Sequence, residues 1–235
     1  MSSTNEAITS QLGENVRRLL RQVLGQPEGA ETVSYHGAAA APLTRQSKGL
    51  REFWSALRAQ EGLQILDFGP ASQANINFIT GLGHRLCTED LYGTLQFASA
   101  RAAAAPSAPD TPSPEERFFQ ENLRYGAGQF DGILCWDVFD LLDDPLVKPL
   151  ADRLHQLLKP GGMLLSFFHA GQPGQLLSVC QYRICSQDQL QLNERGQGKL
   201  RRAFNNRGIE GLFQKFASLK FFLTRDSLRE VVVVR

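Results

Sequence analysis

The chain has 235 residues, 42% hydrophobic and 21% charged, enough for one sizeable domain with a buried core. No apolar run approaches the roughly 20 residues that cross a bilayer, and Met1 to Thr9 lack the basic start and apolar centre of a secretory signal, so a cytoplasmic protein with no membrane partner is expected. Ten Lys/Arg face three Asp/Glu from Arg195 to the end, so the net charge of +1 conceals a tail of +7 and a preceding part of −6. Cys87, Cys135, Cys180 and Cys185 form no C-x-x-C pair and read as reduced thiols, and no metal site is read from the sequence.

Ile8, Leu12, Val16, Leu19, Leu20, Val23 and Leu24 recur at three- and four-residue steps and predict an N-terminal amphipathic helix ended by Pro27 and Gly29. This helix and its connecting segment, residues 1–46, precede a domain expected over 47–235. Ser47 is placed to cap a second helix carrying Leu50, Phe53, Trp54 and Leu57 on one face. A short apolar run, Leu63 to Asp67, then turns at Gly69 into a helix from about Ser72 to Thr80. That is how a first strand of an α/β sheet delivers backbone to a nucleotide-like ligand, although alternate positions that would repeat glycine hold Ala71 and Gln73. A second strand, Arg85 to Thr88, closes on Glu89 and Asp90.

Residues 101–114 contain four prolines among small residues and read as a mobile loop. Phe130 to Trp136 has the length and apolarity of a buried parallel strand. Leu146, Leu150, Leu154, Leu157 and Leu158 define a helix that ends at Lys159-Pro160-Gly161-Gly162, and Met163 to Phe168 is the next strand. Tyr182 and Ile184, then Leu190 and Leu192, alternate around Ser186-Gln187-Asp188 as an inserted hairpin. A last helix through Ile209, Leu212, Phe213 and Phe216 follows. Only Arg225 to Ser227 separate the final runs, Leu219–Thr224 and Leu228–Val234, which must therefore pair antiparallel.

Leu-Asp-Phe-Gly at the first strand, Phe-Asp-Gly-Ile-Leu at the fourth and Leu-Leu-Lys-Pro-Gly-Gly before the fifth, in this order and spacing, resemble the class I S-adenosylmethionine-dependent methyltransferases from roughly Leu50 to the end. The resemblance implies a three-layer Rossmann-like α/β fold. Its sheet would be mostly parallel, in the order 3-2-1-4-5-7-6 with strand 7 antiparallel, and the hairpin would be inserted before the last helix. It also implies S-adenosyl-L-methionine as cofactor.

On this chain the implied methionine-binding role falls to Asp67, Gly69 and the backbone of Pro70 and Ala71, with loop capping the other reading of Asp67. The implied ribose acceptor is Glu89 first and Asp90 second, against two solvated acids at a strand end. Where an acid would sit near the adenine, the chain has Phe119 and Gln120, a ring to stack and an amide to read an edge, or else part of the core. Trp136 and Asp137 occupy the implied substrate-facing position. They lack the Pro-Pro-Tyr pattern of amino-directed DNA methylation, and Cys135 lacks the proline-cysteine loop of a cytosine nucleophile. Asp137 and His169 are the candidate bases, with a turn cap and a structural histidine as the alternatives.

Two functions remain open at this point. One is methyl transfer to an unidentified acceptor, a small molecule, a peptide or an RNA; the other is a methyltransferase-like module that binds a partner and does no chemistry. A nicotinamide oxidoreductase is disfavoured, since Gly69 to Ala74 supplies one glycine where that fingerprint needs three. Arg195, Lys199, Arg201, Arg202 and Arg207 offer either a nucleic-acid contact or a solvated basic face.

Overall fold

The computed structural model describes residues 43–102, 118, 119, 122–224 and 228–235. The expected N-terminal helix, the loop residues from 103 to 114 and Gln120 lie outside the described residues.

Leu43–Gln46 forms β1, and Ser47 then caps α1 (Lys48–Leu57), its Oγ accepting from the Leu50 amide at 3.0 Å. The helix buries Leu50, Phe53, Trp54 and Leu57, the face set by their spacing. There follow β2 (Gln64–Asp67), α2 (Gln73–Gly81), β3 (Arg85–Thr88), α3 (Leu91–Ala102) and β4 (Phe130–Trp136). Next come the short α4 (Val138–Leu141), α5 (Asp144–Leu157) and β5 (Leu158–His169). The chain closes with β6 (Leu176–Ser186), β7 (Gln189–Lys199), α6 (Asn206–Leu212), β8 (Ser218–Leu223) and β9 (Leu228–Val234).

Six strands make the central sheet, in the order β3-β2-β4-β5-β9-β8. Neighbours from β3 to β5 run parallel, and β9 is antiparallel to both β5 and β8. This reproduces the expected order from its second strand inward. It differs in having no seventh, outermost strand among the described residues: of the segment between α3 and β4, Phe118, Phe119 and Asn122 are helical. The three-residue gap does force β8 against β9, with Leu219 opposite Val233.

Successive residues of the inner strands point to opposite faces, and each face has its own core. Leu66, Ile133, Leu164 and Phe168 pack with α5 and α6, while Ile65, Leu134, Leu165 and Phe167 pack with α1. The Lys159-Pro160-Gly161-Gly162 stretch, expected as a helix stop and loop, is already strand. Gly161, at φ +78°, makes the bend, and the register to β4 shifts between Phe130–Leu158 and Gly132–Met163.

The inserted hairpin is longer than its apolar alternation suggested, and with β1 it builds a second, three-stranded sheet in the order β1-β7-β6. Two buried polar residues tie this sheet to the main body. Asn75 of α2 donates to the Tyr182 carbonyl at 3.0 Å and accepts from the Ile184 amide at 2.8 Å. Glu230 of β9 accepts from Arg45 at 3.1 Å, from Ser47 Oγ at 3.0 Å and from the Gly49 amide at 2.6 Å.

Candidate functional site

The strand order reverses between β2 and β4, and a crevice opens beyond the carboxyl ends of such strands. A cavity of about 220 Å³ lies there. One wall is Phe68, Gly69 and Pro70 after β2, Asp90 after β3, and Trp136, Asp137 and Val138 at the end of β4. The opposite wall is the hairpin, through Val179, Cys180, Tyr182, Arg195, Gly196 and Gln197, with Tyr92, Gly93, Gln96 and Leu141 completing the rim.

Trp136 organises the inner end. It has a φ of +50°, and no other non-glycine among the described residues has a positive φ. Its indole stacks on Tyr182 with ring centres 4.9 Å apart and planes 10° from parallel. Its Nε1 donates to Asp67 Oδ1 at 2.6 Å. The second Asp67 oxygen accepts from Asn75 at 2.8 Å, so both carboxylate oxygens already hold protein donors. Burial pushes the Asp67 carboxyl up to about 6, and the Asn75 and Trp136 bonds offset part of that rise.

A pH dependence follows from Asp67. With its folded value above the ordinary 3.8, the folded chain holds the proton more tightly than the unfolded chain does. The resulting stabilisation is full below about 4 and is lost as pH rises through about 6. Asp140 is raised to about 6 as well, so denaturant unfolding at pH 5 and pH 7 is expected to show a loss at the higher pH that is about 1 kcal/mol greater in the parent than in Asp67→Asn. An identical change in both proteins would rule Asp67 out as its source.

Asp137 is buried and accepts from the Tyr182 hydroxyl at 2.8 Å. Burial raises its carboxyl, against the lowering influence of His169 and of the Tyr182 bond. Burial, and after it the charge of Asp137 and the bond to it, hold the Tyr182 phenol well above its ordinary value. His169 ends β5 and does not line the cavity. Its Nδ1 lies 2.9 Å from Asp140 Oδ2, which also accepts the His169 amide at 2.7 Å. Burial lowers the imidazole, but the Asp140 bond and the charges of Asp137 and Asp140 outweigh it and the net direction is upward.

The cavity thus brings together Gly69, Pro70, Asp90, Trp136 and Asp137 of the residues singled out in the sequence. Asp67 sits behind Trp136, and Ala71 is exposed, its carbonyl accepting from Gln181. Glu89 accepts from the Tyr125 hydroxyl, whereas the exposed Asp90 faces the cavity and caps α3 by accepting from the Gly93 amide at 3.0 Å. Phe119 lies in the core, edge-on to Phe118. Arg201 and Arg202 meet Asp143 at 3.5 Å and Asp144 at 2.9 Å around the start of α5. The sequence did not single out Asn75, Tyr92, Gln181 or Tyr182 for the site. Only the alternation of Tyr182 with Ile184 signalled that the hairpin has a buried face.

A crevice of this kind on a Rossmann-like sheet defines an α/β protein built to receive a nucleotide-like ligand. Residues 37–216 match the family model described as a methyltransferase domain, and the chain belongs to that family. S-adenosylmethionine is the cofactor of the family. No curated protein matches the chain.

Solved structures similar to it include the 1,6-didemethyltoxoflavin-N1-methyltransferase of Burkholderia thailandensis, at 15% identity over 80% of this chain and 77% of that one, with a TM-score of 0.42. A second is a putative type 11 methyltransferase of Sulfolobus solfataricus, at 13% identity over 81% and 94%, with a TM-score of 0.46. A third is an S-adenosylmethionine-dependent methyltransferase of Mesorhizobium loti, at 18% identity over 77% and 97%, with a TM-score of 0.43. At these scores the family match carries the assignment. No described helix is long and apolar enough to cross a membrane.

Proposed function

We propose that this protein transfers a methyl group from S-adenosylmethionine to a small acceptor held between the strand ends and the hairpin. The observation that carries the reading is the cavity itself, which places a side-chain-free backbone segment at Gly69 and a carboxylate at Asp90 on one wall. A Cβ on Gly69 would lie in ordinary contact, 3.4 Å from Asp67 Oδ1 and 3.5 Å from Trp136 Nε1, so it is the cavity side that the missing side chain leaves open to a ligand. This donor and acceptor set suits a nucleoside: Asp90 would hold the ribose hydroxyls, and the Gly69-Pro70 backbone would leave room for the rest of the cofactor. When bound, the cofactor supplies an electrophilic methyl group on a sulfonium. The acceptor's proton goes to Asp137, whose carboxyl is raised above its ordinary value by burial and so makes a stronger base than an exposed aspartate. His169, tied to Asp140, supports the charge balance of Asp137 from the end of β5. A small acceptor is favoured over RNA because Arg201 and Arg202 face carboxylates.

One observation favours the second reading, a binding module without chemistry: the ammonium acceptor expected at Asp67 is satisfied by Trp136 and Asn75. Calorimetric titration with S-adenosylhomocysteine separates the two. A micromolar dissociation constant is expected for the enzyme, and no heat at millimolar ligand would leave the module. In the enzyme, Asp90→Ala is expected to weaken S-adenosylhomocysteine binding by ten- to a hundredfold, the worth of charge-assisted bonds to two hydroxyls. Glu89→Ala, which removes a partner of Tyr125, should weaken it less. The reverse ranking would move the ribose contact to Glu89.

A further inference from the structure

The stretch after β2 that lines the cavity, Phe68 to Pro70, is poor in donors for an anion; Ala71, Ser72 and the first turn of α2 are not among the lining residues. Pro70 has no amide hydrogen, and the Pro70 and Ala71 carbonyls turn toward Gln181 Nε2, at 3.2 Å and 3.3 Å. The carboxylate at the head of the loop, Asp67, is itself acidic and enclosed. A zwitterionic amino-acid end entering this cavity therefore finds little on the strand side to hold its negative group.

The hairpin wall is different. Among the described residues lining the cavity Arg195 is the one cation, beside the acids Asp90 and Asp137. It is put there by a break in the ladder. Val179 pairs with Gly196, but the next residue, Cys180, pairs with Glu194, so β7 spends one extra residue and that residue is Arg195. Such a bulge re-aims the side chain of its extra residue. Arg195, Gly196 and Gln197 all line the cavity, Gly196 through its backbone.

We infer that Arg195 binds the carboxylate of the cofactor's amino-acid end, so that the inserted hairpin supplies the positive charge that the glycine-poor loop lacks. The inference rests on the reading of the cavity as the S-adenosylmethionine site. It explains how a chain with Ala71 and Gln73 in place of glycines retains a site for the same ligand: anchoring by amides at a helix start is replaced by a guanidinium from a different part of the fold. Arg suits the task because its planar fork can give two parallel bonds to one carboxylate.

The test uses the full chain and two ligands, S-adenosylhomocysteine and 5′-methylthioadenosine, which share the nucleoside and the thioether but differ in the amino-acid end. Arg195 is exposed, so Arg195→Gln should leave the thermal transition in place, and a melt checks this. The expected result is an affinity for S-adenosylhomocysteine about tenfold weaker in Arg195→Gln, with 5′-methylthioadenosine bound as in the parent. Arg195→Lys, keeping the charge without the fork, should fall between the two. Equal losses for both ligands, or no loss for S-adenosylhomocysteine, would overturn the role of Arg195. A parent that binds 5′-methylthioadenosine but gains nothing from the amino-acid end would also overturn it, while leaving the nucleoside reading of the cavity intact. A parent that binds neither at millimolar concentration would remove the cofactor reading and the inference together.

Discussion

Glu230→Ala is expected to cost about 3–5 kcal/mol of stability and to lower the melting temperature by roughly 10 °C. Glu230 interrupts the apolar run of β9 and is wholly buried, between Phe167 of β5 and Phe222 of β8 in the register. A charge there survives because three donors converge on it from β1, its following residue and the first turn of α1, where the helix dipole also favours an anion. Gly49 makes room for it: a Cβ at that position would lie 3.0 Å from the Glu230 Cβ and 3.1 Å from Oε2. Removing the carboxylate leaves Ser47 Oγ and the Gly49 amide buried with no acceptor in its place. Urea unfolding of the variant provides the check, and a loss below about 1 kcal/mol would mean that water or a neighbour replaces Glu230.

The second large effect is expected at Tyr182, which is 5% exposed. Its ring stacks on Trp136, meets Phe167 edge-on at 5.4 Å, and sends its hydroxyl to Asp137. Tyr182→Ala removes the ring and orphans a buried carboxyl, and should cost about 3–5 kcal/mol while loosening the hairpin wall of the cavity. Tyr182→Phe separates the two contributions. It retains the ring contacts, should cost only about 1–3 kcal/mol, and should raise the Asp137 carboxyl further by deleting a bond that favours its charged form. Comparable losses in both variants would place the energy in the hydroxyl instead of the stack.

Much of the fold was legible because its signals are local. Arg85–Thr88 is bracketed by Gly83 and two acids, the capping serine stands directly before an apolar face, and the short gap between β8 and β9 admits one geometry. What escaped depends on distant pairing. Leu43–Gln46 shows little burial, three of its four residues being exposed, and becomes a strand only because β7 offers it an edge. The hairpin was recognised by its buried Tyr182, Ile184 and Leu190, but its outer ends, such as Leu176 and Lys199, are exposed and carry no pattern.

The site divides along the same line. Gly69, Asp90, Trp136 and Asp137 were legible because strand ends converge at a switch point whatever the sequence between them. The engagement of Asp67 was not, since the indole that reaches it lies 69 positions away and the amide of Asn75 is oriented by the hairpin. The preference for Asp90 over Glu89 at the cavity is likewise set by Tyr125, which no local pattern links to β3.

The indole of Trp136 also gives the cavity an optical reporter. The chain has two tryptophans. Trp54 is enclosed by Phe53 and Phe78 on the α1 side of the sheet, while Trp136 forms part of the cavity wall with a carboxylate on its nitrogen and a phenol ring against its face. Both of those neighbours influence the emission of an indole. With Trp54 replaced by phenylalanine, the remaining indole fluorescence comes from Trp136, and its wavelength and intensity are expected to follow the filling of the cavity and the protonation of Asp67 without any added label.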